Sequence, residues 1–208
     1  QIIQWAVDLG SNTVLSTSAP IAFGGFYASG AGALDGDGSD EWYWVRDILH
    51  RRPISSATVS DFPSISTGYA IPLIAQFSGS GAPDILLSGS IQGPVLVDNT
   101  MIKSWEAPMP EAMNVMAGTR IECAGNARFI TPALQSPILR SFEGSSGALI
   151  SERVLAGGQA FASLAQAQAA GKTTGMLSNA NSIASVLPNG NPAVLLGSTD
   201  GFLYALDA

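Results

Sequence analysis

Residues 75–90 read Ala-Gln-Phe-Ser-Gly-Ser-Gly-Ala-Pro-Asp-Ile-Leu-Leu-Ser-Gly-Ser, and residues 184–199 read Ala-Ser-Val-Leu-Pro-Asn-Gly-Asn-Pro-Ala-Val-Leu-Leu-Gly-Ser-Thr. The two align without a gap. Each is a loop of Gly, Ser and Asn, then a proline, then a short apolar run that ends in small residues. Gly and Asn tolerate the positive φ of tight turns, and Pro is accepted at the start of a strand. The apolar runs are strand-sized. Residues 33–44, Ala-Leu-Asp-Gly-Asp-Gly-Ser-Asp-Glu-Trp-Tyr-Trp, repeat the form. A degraded copy is expected at Phe142-Glu-Gly-Ser-Ser-Gly-Ala-Leu-Ile150.

From the strand starts Trp42, Ile85, Ile150 and Val194 the spacings are 43, 65 and 44 residues. The two shorter intervals suit four-stranded blades of a β-propeller. Neighbouring stretches agree. Ile3, Trp5, Val7 and Leu9 alternate with other residues, which predicts a strand with one buried face. Pro94–Val97 and Phe202–Leu206 are further strands. Asp200-Gly201 supplies the turn that makes Ala193–Leu206 a hairpin. The one helical stretch is Gln159–Ala170, rich in Ala, Leu and Gln and closed by Gly171. The expected fold is an all-β propeller, or a propeller fragment, of about four blade-like repeats with one short inserted helix. It forms a single domain with approximate repeats 11–60, 61–110, 111–158 and 172–208 plus 1–10.

The two ends also correspond. Val95-Leu-Val-Asp-Asn-Thr-Met-Ile-Lys-Ser-Trp105 reads strand, turn, strand. Tyr204–Ala208 matches its first half and Gln1–Trp5 its second. The N-terminal strand is therefore expected to complete a blade: on its own chain, in a neighbouring copy, or in a longer tandem array. An open sheet edge carries unpaired N–H and C=O groups and invites such pairing.

Composition excludes several classes. The chain has 208 residues, 9 Lys and Arg against 16 Asp and Glu, and so a formal net charge of 9 − 16 = −7. With 46% hydrophobic residues it is not an acidic disordered chain. The acidic balance argues against nucleic-acid binding. One Cys excludes an intrachain disulfide framework, and one His excludes a multi-His metal site. No run of about 18 apolar residues predicts membrane insertion. The chain begins at Gln1 without a starting Met or a signal peptide, and is expected to be a processed or excised piece. Charged residues are only 12%, about half the usual share, which fits either a partner-covered surface or an uncharged polar surface of a secreted protein.

At Leu34-Asp-Gly-Asp-Gly-Ser-Asp-Glu-Trp42, at Phe77-Ser-Gly-Ser-Gly-Ala-Pro-Asp-Ile85 and at Gly197-Ser-Thr-Asp-Gly-Phe-Leu-Tyr-Ala-Leu-Asp207 the chain resembles the FG-GAP/VCBS, integrin-like β-propeller repeats. The last segment is also similar to the blade signature of pyrroloquinoline-quinone-type propellers. The resemblance covers three of the four repeats. It implies a secreted or cell-surface protein that adheres, binds glycans or scaffolds a catalytic domain carried elsewhere. It also implies a calcium loop. Calcium needs hard oxygens converging at about 2.3–2.6 Å, and the family positions fall on Asp35, Asp37 and Glu41, with Ser39 as a carbonyl donor. The first ligand position is Ala33, so one acid is missing. The second loop carries Gln76, Ser78, Ser80 and Asp84, and the last carries Leu187, Asn189 and Ala193. These read as structural turns.

Other chemistry is thinly supplied. His50 lies in Asp47-Ile-Leu-His-Arg-Arg-Pro53 and would have to serve any serine triad. Gly144-Ser-Ser-Gly147 is not the Gly-x-Ser-x-Gly elbow of a hydrolase. Arg51 or Arg52 could hold a carboxylate or sulfate. Trp42 and Trp44 fall on one face of a strand and Tyr43 on the other, so the tryptophans either stack on sugar rings or pack between blades. Cys123 reads as a buried strand thiol.

The expected function is an extracellular, non-catalytic binding or structural module for adhesion, glycan recognition or self-assembly. Its expected partners are itself or the remainder of a longer chain, with glycan or cell-surface protein besides. The alternatives are a section of a secreted propeller enzyme, such as a polysaccharide lyase or quinone-dependent dehydrogenase, and a fibre or coat subunit.

Overall fold

The structure is a computed structural model that describes residues 5–8, 11, 13–17, 29–34, 39–45, 48–56, 58–66, 71–88, 93–107, 118–133, 136–177, 183–186 and 189–207. It is an array of antiparallel sheets, as the repeats predict. Strands β1 (Trp5–Asp8) and β2 (Thr13–Thr17) pair with each other. Strands β3 (Ser29–Gly32), β4 (Glu41–Val45), β5 (Ile48–Pro53) and β6 (Ser60–Ser66) form a first four-stranded meander. A second comprises β7 (Ile71–Ala75), β8 (Asp84–Ser88), β9 (Val95–Val97) and β10 (Lys103–Glu106). The third sheet has five strands: β11 (Thr119–Cys123), β12 (Asn126–Pro132), β13 (Ile138–Glu143), β14 (Leu149–Ala156) and β15 (Gln159–Phe161). Helix α1 (Leu164–Ala169) follows it. The last sheet is β16 (Ile183–Val186), β17 (Pro192–Gly197) and β18 (Leu203–Asp207).

Alternation along each strand decides what the sheets do to one another. Every side chain of β8 is buried. Ile85 and Leu87 point one way, with Val95 and Val97 of β9, and meet Tyr43, Val45 and Leu49 of the first sheet. Leu86 and Leu96 point the other way and meet Phe129 and Phe142 of the third. The third sheet in turn buries Ile121, Ile130, Leu139 and Leu155 against Val194, Leu196 and Tyr204 of the last. Successive sheets thus stack face to face. Continuous apolar runs appear where both faces are covered, and each buried Leu or Ile contributes about 1.5–3 kcal/mol. The first strands of neighbouring sheets lie side by side, β3 next to β7 and β11 next to β16 and β17. At Gly32 a Cβ would stand 3.2 Å from Ile74 Cγ2, so β3 has little room for a side chain beside β7.

Two expectations shift. The helix is shorter than 159–170, because Gly157 and Gly158 adopt positive φ and turn Gln159–Phe161 back as strand β15 on β14. Ser163 then caps α1, its side chain accepting from Gln166 N–H. At the far end Gly171 N–H donates to Gln168 O and Lys172 N–H to Ala167 O, a Schellman closure. The degraded copy at Phe142–Ile150 is the turn between the third and fourth strands of its sheet, not between the first and second. The corresponding first turn is the two-residue Ala124-Gly125, both at positive φ. The Gly-rich sequence at 144–147 has another use: Trp105 of the second sheet packs on it. A Cβ on Gly147 would fall 2.5 Å from the Trp105 ring, and Trp105 Nε1 donates to Gly144 O at 2.8 Å. Near the N-terminus β1 pairs with β2. A local partner closes a short loop and costs less chain entropy than a distant one. Residues 1–4, the rest of that expected strand, lie outside the described residues.

Candidate functional site

The loop before β4 was the leading metal candidate. Asp35 and Asp37 lie outside the described residues. Ser39 is exposed, and Glu41 is buried at the start of β4. Glu41 Oε2 accepts from Leu34 N–H at 3.2 Å and from Tyr43 OH at 2.9 Å, while its Oε1 is buried without a hydrogen-bond partner. The same geometry recurs one sheet on. Asp84 Oδ2 accepts from Phe77 and Ser78 N–H, both at 2.8 Å, and its Oδ1 accepts from Ser78 Oγ. Leu34 to Glu41 and Phe77 to Asp84 are both seven residues apart, so the acid at each strand start clasps the backbone at its loop's beginning. This is a structural role in both loops. The calcium proposal for Asp35, Asp37, Ser39 and Glu41 therefore rests on the resemblance; among the described residues no three His, Cys, Asp or Glu side chains gather as a metal-binding group. The last sheet has Ala193 at the clasp position and lacks the device.

Trp42, Trp44, Arg51 and Arg52 fall on the paired strands β4 and β5. Trp42 is opposite Arg52 and Trp44 opposite His50, so these four share one face, while Arg51 opposes Tyr43 on the other. The His50 ring stacks on Trp44 with centroids 5.2 Å apart, and His50 Nδ1 lies 2.8 Å from Asp61 Oδ1. Arg51 sits 5.9 Å from the centre of the Phe62 ring. Trp44 is only 2% exposed, and Arg52 is fully buried with Nη1 donating to Ser56 O at 2.7 Å. Trp44 and Arg52 are packed inside rather than offered to a ligand from solvent. Cys123 is buried and unbridged.

Two further acids hold turns. Asp98 Oδ1 accepts from Thr100 N–H, Thr100 Oγ1 and Ile102 N–H. Asp200 Oδ2 accepts from Tyr204 OH at 2.6 Å and from Gly157 N–H at 3.1 Å, tying the final hairpin to the third sheet. Burial pushes the Asp200 carboxyl up. The donors Tyr204, Ser198, Phe202 and Gly157 outweigh that and hold it below the ordinary carboxylate value. Burial first, and then the bond to Asp200, pushes the Tyr204 phenol up to about 12.

Sequence reading missed a cleft of about 450 Å³ between the third and last sheets. Arg128 and Ile130 of β12, Leu139 and Ser141 of β13, and Ser151 and Arg153 of β14 line one wall, facing Val194 and Leu206. The available signal was polar residues at same-face positions of otherwise apolar strands.

With this geometry in view, the solved structures give a clear match of architecture. The structure of BBS1N in complex with ARL6DN is similar with a TM-score of 0.57 at 10% identity, over 86% of this chain and 53% of that one. Dihydro-heme d1 dehydrogenase NirN in complex with DHE is similar with a TM-score of 0.58 at 12% identity, over 98% of this chain and 40% of that one. Both are β-propellers. This chain has a β-propeller architecture. At such identities the likeness concerns the fold alone, and the chain spans about half the length of these propellers or less. No protein-family description matches the chain, and no curated protein does. Among the described residues of this propeller, no helix is long and apolar enough to cross a membrane.

Proposed function

We propose that the chain is a non-catalytic binding and structural module that associates with a second copy of itself through the outer face of its last sheet. One observation carries this reading. The second and third sheets have sheets packed on both faces, whereas the last sheet presents Leu195, Leu203 and Ala205 on a face with nothing described against it. Register puts Leu195 opposite Ala205 and Gly197 opposite Leu203, on one side. Leu203 is 73% exposed, and Phe202 beside it is also exposed. Among the described residues β18 pairs only with β17, which leaves its outer edge free. An aliphatic face beside an open edge is what another blade-like sheet covers. Its uncharged character favours a sheet of the same kind over a charged partner. Support for a non-catalytic role comes from the acids: Asp84, Asp98 and Asp200 are engaged by turn N–H and hydroxyl groups. An FG-GAP/VCBS-like repeat working at a cell surface belongs to the same proposal, supported by the clasp that recurs at Glu41 and Asp84.

Sedimentation of the purified chain over a concentration series tests this. The expected result is a species of twice the monomer mass that Leu203→Lys converts to a folded monomer. A folded wild-type monomer at every concentration would overturn it.

A further inference from the structure

The cleft between the third and last sheets has no part in that association, because it opens on the opposite face of the last sheet. Val194 and Leu206, which line it, pair with each other and alternate with Leu195 and Ala205 of the outer face. We propose that this cleft is a binding site for a small organic carboxylate with an apolar body.

The argument begins with register. On β12 and β13, Arg128 is opposite Glu143 and Ile130 is opposite Ser141. On β13 and β14, Ser141 is opposite Ser151 and Leu139 is opposite Arg153. Side chains two residues apart on a strand share a face. Arg128, Ile130, Leu139, Ser141, Ser151 and Arg153 therefore project on one side of the sheet. Ser141 is the centre of this patch, diagonal to Arg128 on one flank and to Arg153 on the other. Both long arms can swing over it.

Charge and partnering come next. The whole chain has nine Lys and Arg under a net charge of −7, yet three arginines border this one cleft against a single carboxylate, Asp207, whose Oδ2 accepts from Asn191 Nδ2 at 3.0 Å. Arg140 is held by Glu152 at 2.8 Å. The Arg128 side chain makes no hydrogen bond or ion pair with any described residue; Glu143, opposite it, accepts from Ser146 Oγ instead. Arg153 donates only to the backbone oxygen of Glu152, at 2.8 Å, and leaves its charge unmatched. Guanidinium groups in this state, beside a low-dielectric wall, attract an oxyanion and grip a carboxylate with paired N–H donors. Ser141 adds a second, independent sign. It is only 8% exposed, and its Oγ is buried without a hydrogen-bond partner. An unsatisfied buried hydroxyl costs free energy until an oxygen or nitrogen meets it.

The walls define the rest of the ligand. Ile130, Leu139 and Val194 form a buried aliphatic floor and Leu206 and the exposed Ile150 stand above it, so the body that follows the carboxylate is apolar. A volume of about 450 Å³ lies within the ordinary range for small-molecule sites. A bare inorganic anion would satisfy the arginines and leave Leu206 and the exposed Ile150 at the mouth of the cleft facing water. A neutral apolar molecule would cover the wall and leave the charges unmatched.

Titration calorimetry with hexanoate, 1-hexanol and inorganic sulfate separates these cases. Hexanoate is expected to bind at least ten-fold more tightly than either of the others. Replacing both arginines (Arg128→Gln with Arg153→Gln) is expected to weaken hexanoate ten-fold or more. Lys103→Gln removes one charge from an exposed pair far from the cleft and is expected to change nothing. Equal binding of hexanoate and hexanol, tighter binding of sulfate, or full affinity in a folded double variant would each overturn the proposal. Should the double variant unfold, the ranking of the three probes on the wild-type chain decides alone. A change of mass with unchanged hexanoate binding would touch only the association reading.

Discussion

The second sheet and the last sheet start their second strands with nearly the same words, Pro83-Asp-Ile-Leu-Leu87 and Pro192-Ala-Val-Leu-Leu196, and are treated differently by the fold. In the second, all of β8 is buried. In the last, Val194 and Leu196 are buried against the third sheet, while Leu195, the counterpart of Leu86, is only partly buried. The loops differ as well. Asp84 clasps its own loop, whereas Ala193 clasps nothing, and the final hairpin is tied instead through Asp200 to Gly157 of the neighbouring sheet. Two-sided burial is thus a property of a strand's neighbours, and a local repeat encodes only the strand.

The largest effect that would break this contrast is a cavity. Leu86→Ala is expected to cost about 2–5 kcal/mol in chemical denaturation, as buried leucine truncations do. Leu195→Ala in the monomer should cost less, about 1–2 kcal/mol, because its side chain is only partly buried. Equal losses would mean that the last sheet is covered on both sides. A second test concerns the clasp. Asp84→Ala strands the N–H groups of Phe77 and Ser78 and is expected to cost about 1–3 kcal/mol, with Asp84→Asn milder because one acceptor remains.

The smallest effect concerns the final turn. Tyr204→Phe removes one hydrogen bond to Asp200 and is expected to cost about 1 kcal/mol. Its pH dependence has a definite sign. The Asp200 carboxyl is held below 3.8, so it stabilises the fold above that pH and the contribution fades as pH falls through its lowered value. The Tyr204 phenol is raised from 10.0 to about 12, so its contribution is complete below pH 10 and disappears as pH climbs through 12. Thermal melts of wild type and Tyr204→Phe should converge at both extremes. Parallel melting curves across the whole range would separate this pair from stability.

The repeats made the stacked antiparallel sheets readable, because loop, proline and apolar run are local signals with a period. The Asp200-Gly201 hairpin and the Gly171 helix stop were readable for the same reason. Other features depend on partners distant in sequence. Trp105 docking on Gly144 and Gly147 decides why 142–150 is Gly-rich, and nothing near either segment announces it. Glu41 was legible as an acid at a loop end, but a seven-residue clasp and a metal ligand need the same residue in the same place. The cleft was out of reach because Arg128, Ser141 and Arg153 come together only through the register of three strands and the position of a fourth sheet.

Amide hydrogen exchange on β8 and β18 in dilute solution puts the contrast to its most direct trial. The β8 amides, in a strand covered on both faces, should be among the slowest in the chain. Those of β18, in an edge strand with one open face, should exchange faster and slow down as protein concentration rises. Equal, concentration-independent protection of the two strands, or rapid exchange in β8, would contradict the stacked arrangement with an open face on its last sheet.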